Sequence, residues 1–221
     1  MSEDLTGRVI DGRYQVIERI AQGGMGVVYR VMHRYTGREE ALKVIHRELA
    51  RDEDIRRRFL VEAMAVAKLK SPHTVTLYDC SATEDGQLHI AMEYLAGLSL
   101  RETLKKHGPM DWRRAVRFAH HACLSLEEAH GKGILHRDIK PSNFIIARDE
   151  EGIEVLKVLD FGIARIDTLP AAAALTQAGE VLGTPVYMSP EQHRGERAEA
   201  RSDIYSLGLV IHEMMTGRPP F

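Results

Sequence analysis

Cysteine is almost absent from this 221-residue chain: Cys80 and Cys123 are the only two, and they show no C-x-x-C spacing. A disulfide framework is therefore excluded, and both thiols are expected to be small apolar core fillers in a reducing compartment. An excess of charge of one sign is also missing. Thirty Lys and Arg against thirty-two Asp and Glu leave a formal net charge of −2, so there is no basic field to hold nucleic acid. Long apolar runs are lacking as well. The acidic Met1-Ser2-Glu3-Asp4 is not followed by an apolar core of signal-peptide length. Leu207 to Ile211 is broken at once by His212 and Glu213, far short of the roughly 20 residues a spanning helix needs. The expected setting is cytoplasmic, with no membrane segment in the chain, although a longer parent could be tethered beyond residue 221. No internal repeat is visible, and the length is ample for one domain or a two-lobed one.

What is present changes texture along the chain. Tyr14 to Ala21 and Val27 to His33 read as strands around a glycine-rich turn, and Glu39 to Ile45 follows the Thr36-Gly37 turn. Ile55, Phe59, Glu62, Val66 and Leu69 recur at offsets of four, three, four and three, one face of a helix between Asp54 and Lys70. Glu62 sits inside that apolar stripe. Val75 to Asp79 and Leu88 to Glu93 read as two more strands, joined by a turn at Glu84-Asp85-Gly86. After Gly97 the pattern becomes helical: Ser99-Leu100-Arg101-Glu102 matches a capping box, and Asp111 can cap a long helix ending near Gly131. Pro170-Ala171-Ala172-Ala173-Ala174 has no periodic apolar pattern and reads as a mobile loop.

The most informative stretch is His136-Arg137-Asp138-Ile139-Lys140-Pro141-Ser142-Asn143, followed by Asp160-Phe161-Gly162. Two acids, an amide and a lysine at fixed offsets on tight loops suit metal-assisted phosphoryl transfer, which needs an acceptor-positioning carboxylate, magnesium ligands and cations facing the phosphate oxygens. Asp138 can take the first role. Asn143 and Asp160 offer hard oxygen ligands that suit magnesium better than zinc or copper. His-Arg-Asp alone is ordinarily a solvated charged turn. Order along the chain makes the difference: Gly23-Gly24-Met25-Gly26, Ala41-Leu42-Lys43, the helical Glu62, the two loops, then Ser189-Pro190-Glu191. This is the protein-kinase signature set in its expected sequence.

At these residues the chain resembles the eukaryotic-like Ser/Thr protein kinases. The wording of Gly23-Gly24-Met25-Gly26-Val27-Val28-Tyr29 and Gly183-Thr184-Pro185-Val186-Tyr187-Met188-Ser189-Pro190-Glu191-Gln192 is similar to the bacterial branch. The resemblance implies an α+β, two-lobed protein kinase-like fold. Its N-lobe (residues 14–93) would be a five-stranded antiparallel sheet with one helix, followed by a hinge at 93–97 and a mostly helical C-lobe from 98 to 221. Residues 1–13 would be an N-terminal extension. The family's domain continues through further large-lobe helices, so the C-lobe is expected to be partial.

The family pattern G-x-G-x-x-G-x-V aligns with Ala21-Gln22-Gly23-Gly24-Met25-Gly26-Val27-Val28, with Ala21 in place of the first glycine. The resemblance implies that Ile20 to Val28, Ala41, Lys43 and Glu93 bind ATP, with Lys43 on the α- and β-phosphates and paired with Glu62. An edge-strand lysine facing solvent is the ordinary alternative for Lys43, and an ordinary hairpin turn for the glycines. Two inward-facing opposite charges offset each other's desolvation, which favours the pair.

Lys140 would reach the γ-phosphate, and Thr184 would contact the catalytic loop; both are Ser/Thr-type features. Arg137 would receive a phosphate placed on the mobile loop, with Thr176 the expected phosphosite. Met92 falls where the family keeps its gatekeeper, and a plain core methionine accounts for it equally well. Asp203 matches an aspartate that braces the catalytic loop, and helix N-capping is its simpler reading. His136 is expected to be a packed, hydrogen-bonded histidine and not a base. His120 and His121, adjacent on a helix, make a poor joint metal site.

The sequence reading is thus a Ser/Thr protein kinase domain using ATP and Mg2+, acting on protein hydroxyls, with a homodimer as one route to autophosphorylation. A pseudokinase scaffold is the alternative, suggested by Ala21 and by the expected partial C-lobe. A small-molecule kinase of related fold is disfavoured by the long loop and Ser189-Pro190-Glu191.

Overall fold

The computed structural model describes residues 4–47, 53–83, 86–161 and 186–221, with the backbone alone at Ile55. The chain divides into two compact units, one of Met1–Lys68 with Val75–Leu95 and one of Leu69–Thr74 with Ala96–Phe221.

The first unit is a curled antiparallel sheet with one helix. Its strands are β1 (Val9–Ile10), β2 (Tyr14–Gly23), β3 (Gly26–His33), β4 (Glu39–Ile45), β5 (Leu77–Ala82) and β6 (Leu88–Glu93), ordered β1-β2-β3-β4-β6-β5. Six strands thus stand where five are expected. The added one is the two-residue β1, whose Ile10 pairs with Tyr14 across the turn that follows it. A segment that short has no periodicity of its own, and its partner makes it a strand. β5 also runs later than the expected Val75–Asp79, because Cys80 and Ser81 continue the ladder to Ile90 and His89.

Alternation in β2 to β4 sends Tyr14, Val16, Tyr29, Val31, Leu42 and Val44 into one buried cluster. Each such side chain contributes about 1.5–3 kcal/mol by leaving water. Side chains at the start of β2 reach across to β5, the last strand in the order. Arg13 Nη1 lies 2.9 Å from Asp79 Oδ2, the Tyr14 hydroxyl donates to Asp79 Oδ2 at 3.2 Å, and Arg13 also donates to Ser81 Oγ at 3.2 Å. Helix α1 (Glu53–Val66) buries Phe59 and Val66 of the expected stripe and also Ala63, and it ends before the expected Lys70: residues 67 and 68 form a turn, so Leu69 is buried from outside the helix.

The second unit holds a three-stranded sheet, β7 (Leu98–Ser99), β8 (Phe144–Arg148) and β9 (Glu154–Val158), together with its helices. The expected capping box at Ser99 opens α2 (Leu100–His107), and the Asp111 side chain accepts from the Arg113 N–H at 2.9 Å to start α3 (Trp112–Gly131). A short α4 (Pro190–His193) and α5 (Ala200–Thr216) complete it. Residues 69–74 are fastened to α3 by Glu128, whose carboxylate accepts the Lys70 N–H at 2.8 Å and the Ser71 N–H at 2.7 Å.

The cysteines depart from expectation. Cys123 is exposed on α3, about 100° round the helix from the buried Ala122. Cys80 is half-buried, and burial pushes its thiol up to about 12, which leaves it unreactive. Among the described residues no helix is long and apolar enough to cross a membrane.

Candidate active site

β8 and β9 form a hairpin whose open end organises the polar loop. Phe144 pairs with Val158 at that end, so the residues just outside the ladder, Asn143 and Leu159, face each other, and the Leu159 N–H donates to Asn143 O at 2.9 Å. Asp160, next along, is thereby held close to Asn143 in the fold. Pro141 to Asn143 make a single 3₁₀ turn with proline in its first turn, where a missing N–H costs nothing.

Three expected residues converge on this loop. Lys140 Nζ lies 2.7 Å from Asp138 Oδ2. The Asn143 amide donates to Asp138 O at 2.7 Å and to Asp138 Oδ2 at 3.1 Å. The amide nitrogen is thus committed to Asp138, and the amide oxygen is the end suited to a cation. Asp138 remains about a third exposed, its side chain at 36%.

His136 lies beneath this loop and is wholly buried. Its Nε2 is 2.7 Å from Leu159 O, a carbonyl that can only accept, and its Nδ1 is 3.3 Å from the Asp138 N–H, which can only donate. Those partners fix the neutral Nε2–H tautomer. Burial lowers its pKa in the same sense. The Phe161 ring packs on it at 4.9 Å between centroids. His136 is therefore the packed histidine the sequence suggests.

Asp203, 2% exposed near the start of α5, accepts the backbone N–H of His136 at 2.9 Å and of Arg137 at 2.7 Å, while His130 Nε2 lies 2.8 Å from the same carboxylate. The helix N-cap is Glu199, so bracing the loop, and not capping, is what Asp203 does. The brace holds an unusual backbone. Arg137 and Asp160 have φ of +64° and +52°, a left-handed conformation that non-glycine residues adopt at some cost.

In the other unit, the glycine-rich segment is the β2–β3 hairpin, with Gly23 paired to Gly26, Gln22 to Val27 and Ala21 to Val28. Its glycines are not equivalent. A Cβ on Gly26 would lie 2.1 Å from Val44 O, whereas one on Gly23 or Gly24 would meet nothing within 4 Å. Gly26 is thus required by the neighbouring strand, and the other two leave open backbone. Ile20 and Ala21 are exposed. Lys43 pairs in register with Val28 and Ile90, and Ala41 with Met92. Lys43 and Glu62 are both half-buried, on β4 and α1. Glu93 ends β6. Thr176, Thr184 and Gly162 lie outside the described residues.

Some of the arrangement is missing from the sequence reading. Gln192 Oε1 accepts the Ser189 N–H at 3.1 Å, and its Nε2 donates to Arg137 O at 2.9 Å. The S-x-x-Q spacing of a capping box signals the first contact; nothing local signals the second. His121, on the long helix, accepts the Leu156 N–H at 3.2 Å and stacks on His73 at 4.1 Å, so it serves packing. Among the described residues no cluster of three or more His, Cys, Asp or Glu is arranged for a metal.

Comparison with known proteins agrees with the geometry. The chain is 41% identical over its whole length to the serine/threonine-protein kinase pkn3 of Myxococcus xanthus, of which it covers 40%. It is 41% identical over 98% of its length to serine/threonine-protein kinase PknB of Mycolicibacterium smegmatis, of which it covers 34%. It therefore spans well under half the length of these curated relatives. The crystal structure of the Mycobacterium tuberculosis PknI kinase domain superposes with a TM-score of 0.77 at 29% identity, covering 98% of this chain and 79% of that one. The protein kinase domain family matches residues 14–221, and the chain belongs to that family.

Proposed function

We propose that this chain is the catalytic domain of a bacterial-type Ser/Thr protein kinase that moves the γ-phosphate of Mg-ATP to Ser and Thr hydroxyls of proteins. The observation that carries the reading is the convergence of Lys140 and Asn143 on Asp138, at 2.7 Å and 3.1 Å from its Oδ2. Asp138 is the group that orients the acceptor hydroxyl and receives its proton. Lys140, 2.7 Å from Asp138 Oδ2, supplies the cation that follows a γ-phosphate oxygen during transfer. Lys43 takes the α- and β-phosphates with Glu62 as its partner, and the open backbone at Gly23 and Gly24 gives N–H groups access to phosphate oxygens.

Asn143 and Asp160 fit magnesium: both offer hard oxygens at the mouth of one hairpin, and two protein oxygens completed by phosphate and water suit that ion. When bound, the ion would offset charge on the phosphate oxygens. Arg137 would receive a phosphate placed on Thr176, and Thr184 would contact the catalytic loop, the roles the family resemblance implies; two copies of the chain would allow the transfer in trans. Nothing in the comparisons favours a non-catalytic scaffold.

The test is transfer of radiolabelled phosphate from ATP to a generic protein by the purified chain beside an Asp138→Asn variant. The variant should bind ATP nearly as well and turn over at least about 10²-fold more slowly. Equal turnover would remove Asp138 from its role. Transfer to small aminoglycoside-like or choline-like acceptors, and not to protein, would change the substrate class.

A further inference from the structure

Gln192 stands immediately after Ser189-Pro190-Glu191, and its two amide atoms do different things. The oxygen accepts the Ser189 N–H at 3.1 Å and lies 3.2 Å from the Ser189 hydroxyl, closing the capping box of α4. The nitrogen reaches a residue 55 positions away in sequence and donates to Arg137 O at 2.9 Å. The orientation of the amide is fixed by its partners, because a backbone N–H can only donate and a carbonyl can only accept.

Arg137 is the residue in the left-handed region, at φ +64°, directly before Asp138. Its N–H is held by Asp203 and its C=O by Gln192, so both backbone polar groups are fixed from outside the loop. A strained backbone persists only where its surroundings over-determine it. Relaxation of Arg137 toward an ordinary φ would swing the next peptide, and with it the Asp138 carboxylate. Asp203 reaches the N–H of Arg137 and not its carbonyl, which Gln192 takes.

We propose that Gln192 is a positioning residue for catalysis: its amide N–H locks the Arg137 carbonyl and so sets the direction of Asp138. The segment that bears Ser189-Pro190-Glu191 is thereby tied to the catalytic aspartate through this hydrogen bond. This rests on the phosphoryl-transfer reading of Asp138, and the test keeps the two separable.

Two substitutions divide the amide's roles. Gln192→Glu keeps an oxygen to cap Ser189 and loses the donor to Arg137; Gln192→Met, similar in length, loses both. In the Glu variant, which keeps the cap, the melting temperature should fall less than in the Met variant, while kcat for protein phosphorylation falls about tenfold, the scale of one lost hydrogen bond, with the KM for ATP unchanged. In the Met variant both kcat and melting temperature should fall. If kcat follows the cap, full in Glu and reduced only in Met, Gln192 is merely structural and the proposal fails. Hydrogen exchange of the 136–143 segment supplies a readout that does not need turnover. Should the wild-type chain transfer no phosphate, the phosphoryl-transfer reading fails on that result alone. Faster exchange in the Glu variant would then still establish the lock on Arg137, and unchanged exchange would refute it.

Discussion

Asp203 holds Arg137 by its backbone: Oδ1 accepts the Arg137 N–H at 2.7 Å, while Oδ2 takes the neighbouring N–H of His136 at 2.9 Å. One buried carboxylate on a helix thus serves two consecutive peptide groups of a loop far away in sequence. Asp203→Ala would leave both donors without their acceptor, at about 1–3 kcal/mol for each buried unsatisfied group. The expected loss is about 3–5 kcal/mol, read as a lower urea midpoint, with Asp203→Asn intermediate because an amide retains one acceptor oxygen. Wild-type stability in the Ala variant would show that the loop needs no brace.

The glycine hairpin separates packing from binding. Gly26→Ala forces a methyl to 2.1 Å from a backbone oxygen of β4, and backbone cannot move aside as a flexible side chain can. A cost of about 1–3 kcal/mol is expected, as for overpacking. Gly23→Ala meets nothing within 4 Å and lies outside the positive-φ region, so its stability should match or slightly exceed wild type. ATP affinity should respond in the opposite way at Gly23, weakening as the methyl obstructs approach of phosphate. Calorimetry for folding and nucleotide titration for binding measure the two effects; a Gly26→Ala protein as stable as wild type would contradict the packing argument.

Acid should destabilise the fold through its buried histidines. Burial holds the pKa of His136 and His89 below the ordinary value, lowers His73 and brings His121 down to about 4. As pH falls below about 6.5 the unfolded chain takes up protons that the folded chain refuses. Stability is therefore complete above that value and declines below it, by up to about 1.4 kcal/mol per pH unit for each of the fully buried His136 and His89. For His121 the window runs from its ordinary value down to about 4. Denaturant midpoints between pH 7 and pH 5 test the sign, and His121→Phe should flatten the decline. A midpoint constant across that range would rule the effect out.

Much of the fold could be read from local pattern. The α1 stripe, the Ser99 and Asp111 caps and the β2–β3 hairpin each depend on residues close in sequence; the caps and the hairpin formed where their spacing indicates, and α1 did so up to Val66. The polar loop was legible for a different reason: its residue types are demanded by one chemistry, so Asp138, Lys140 and Asn143 stand out even without a structural period. What escaped was set by distant partners. β1 exists through its pairing with β2, and the β7-β8-β9 sheet follows a stretch whose texture is helical. Cys123 looks like core by residue type, yet the helix phase fixed by Phe118, Ala122 and Leu126 turns it outward. Gln192 advertises a cap, while its second bond depends on where Arg137 comes to lie.

The bridge from Arg13 and Tyr14 to Asp79 and Ser81 alters how the sheet can come apart. In an open sheet, fraying starts at whichever outer strand is held by one neighbour alone. Here one end of a side-chain link lies on β5 and the other at the start of β2, where Ile10 of β1 pairs with Tyr14, so loosening either margin disturbs the other. The sheet behaves as a hoop and not as a ribbon. Slow-exchanging amides should accordingly extend toward both margins, with protection lost as one cooperative unit.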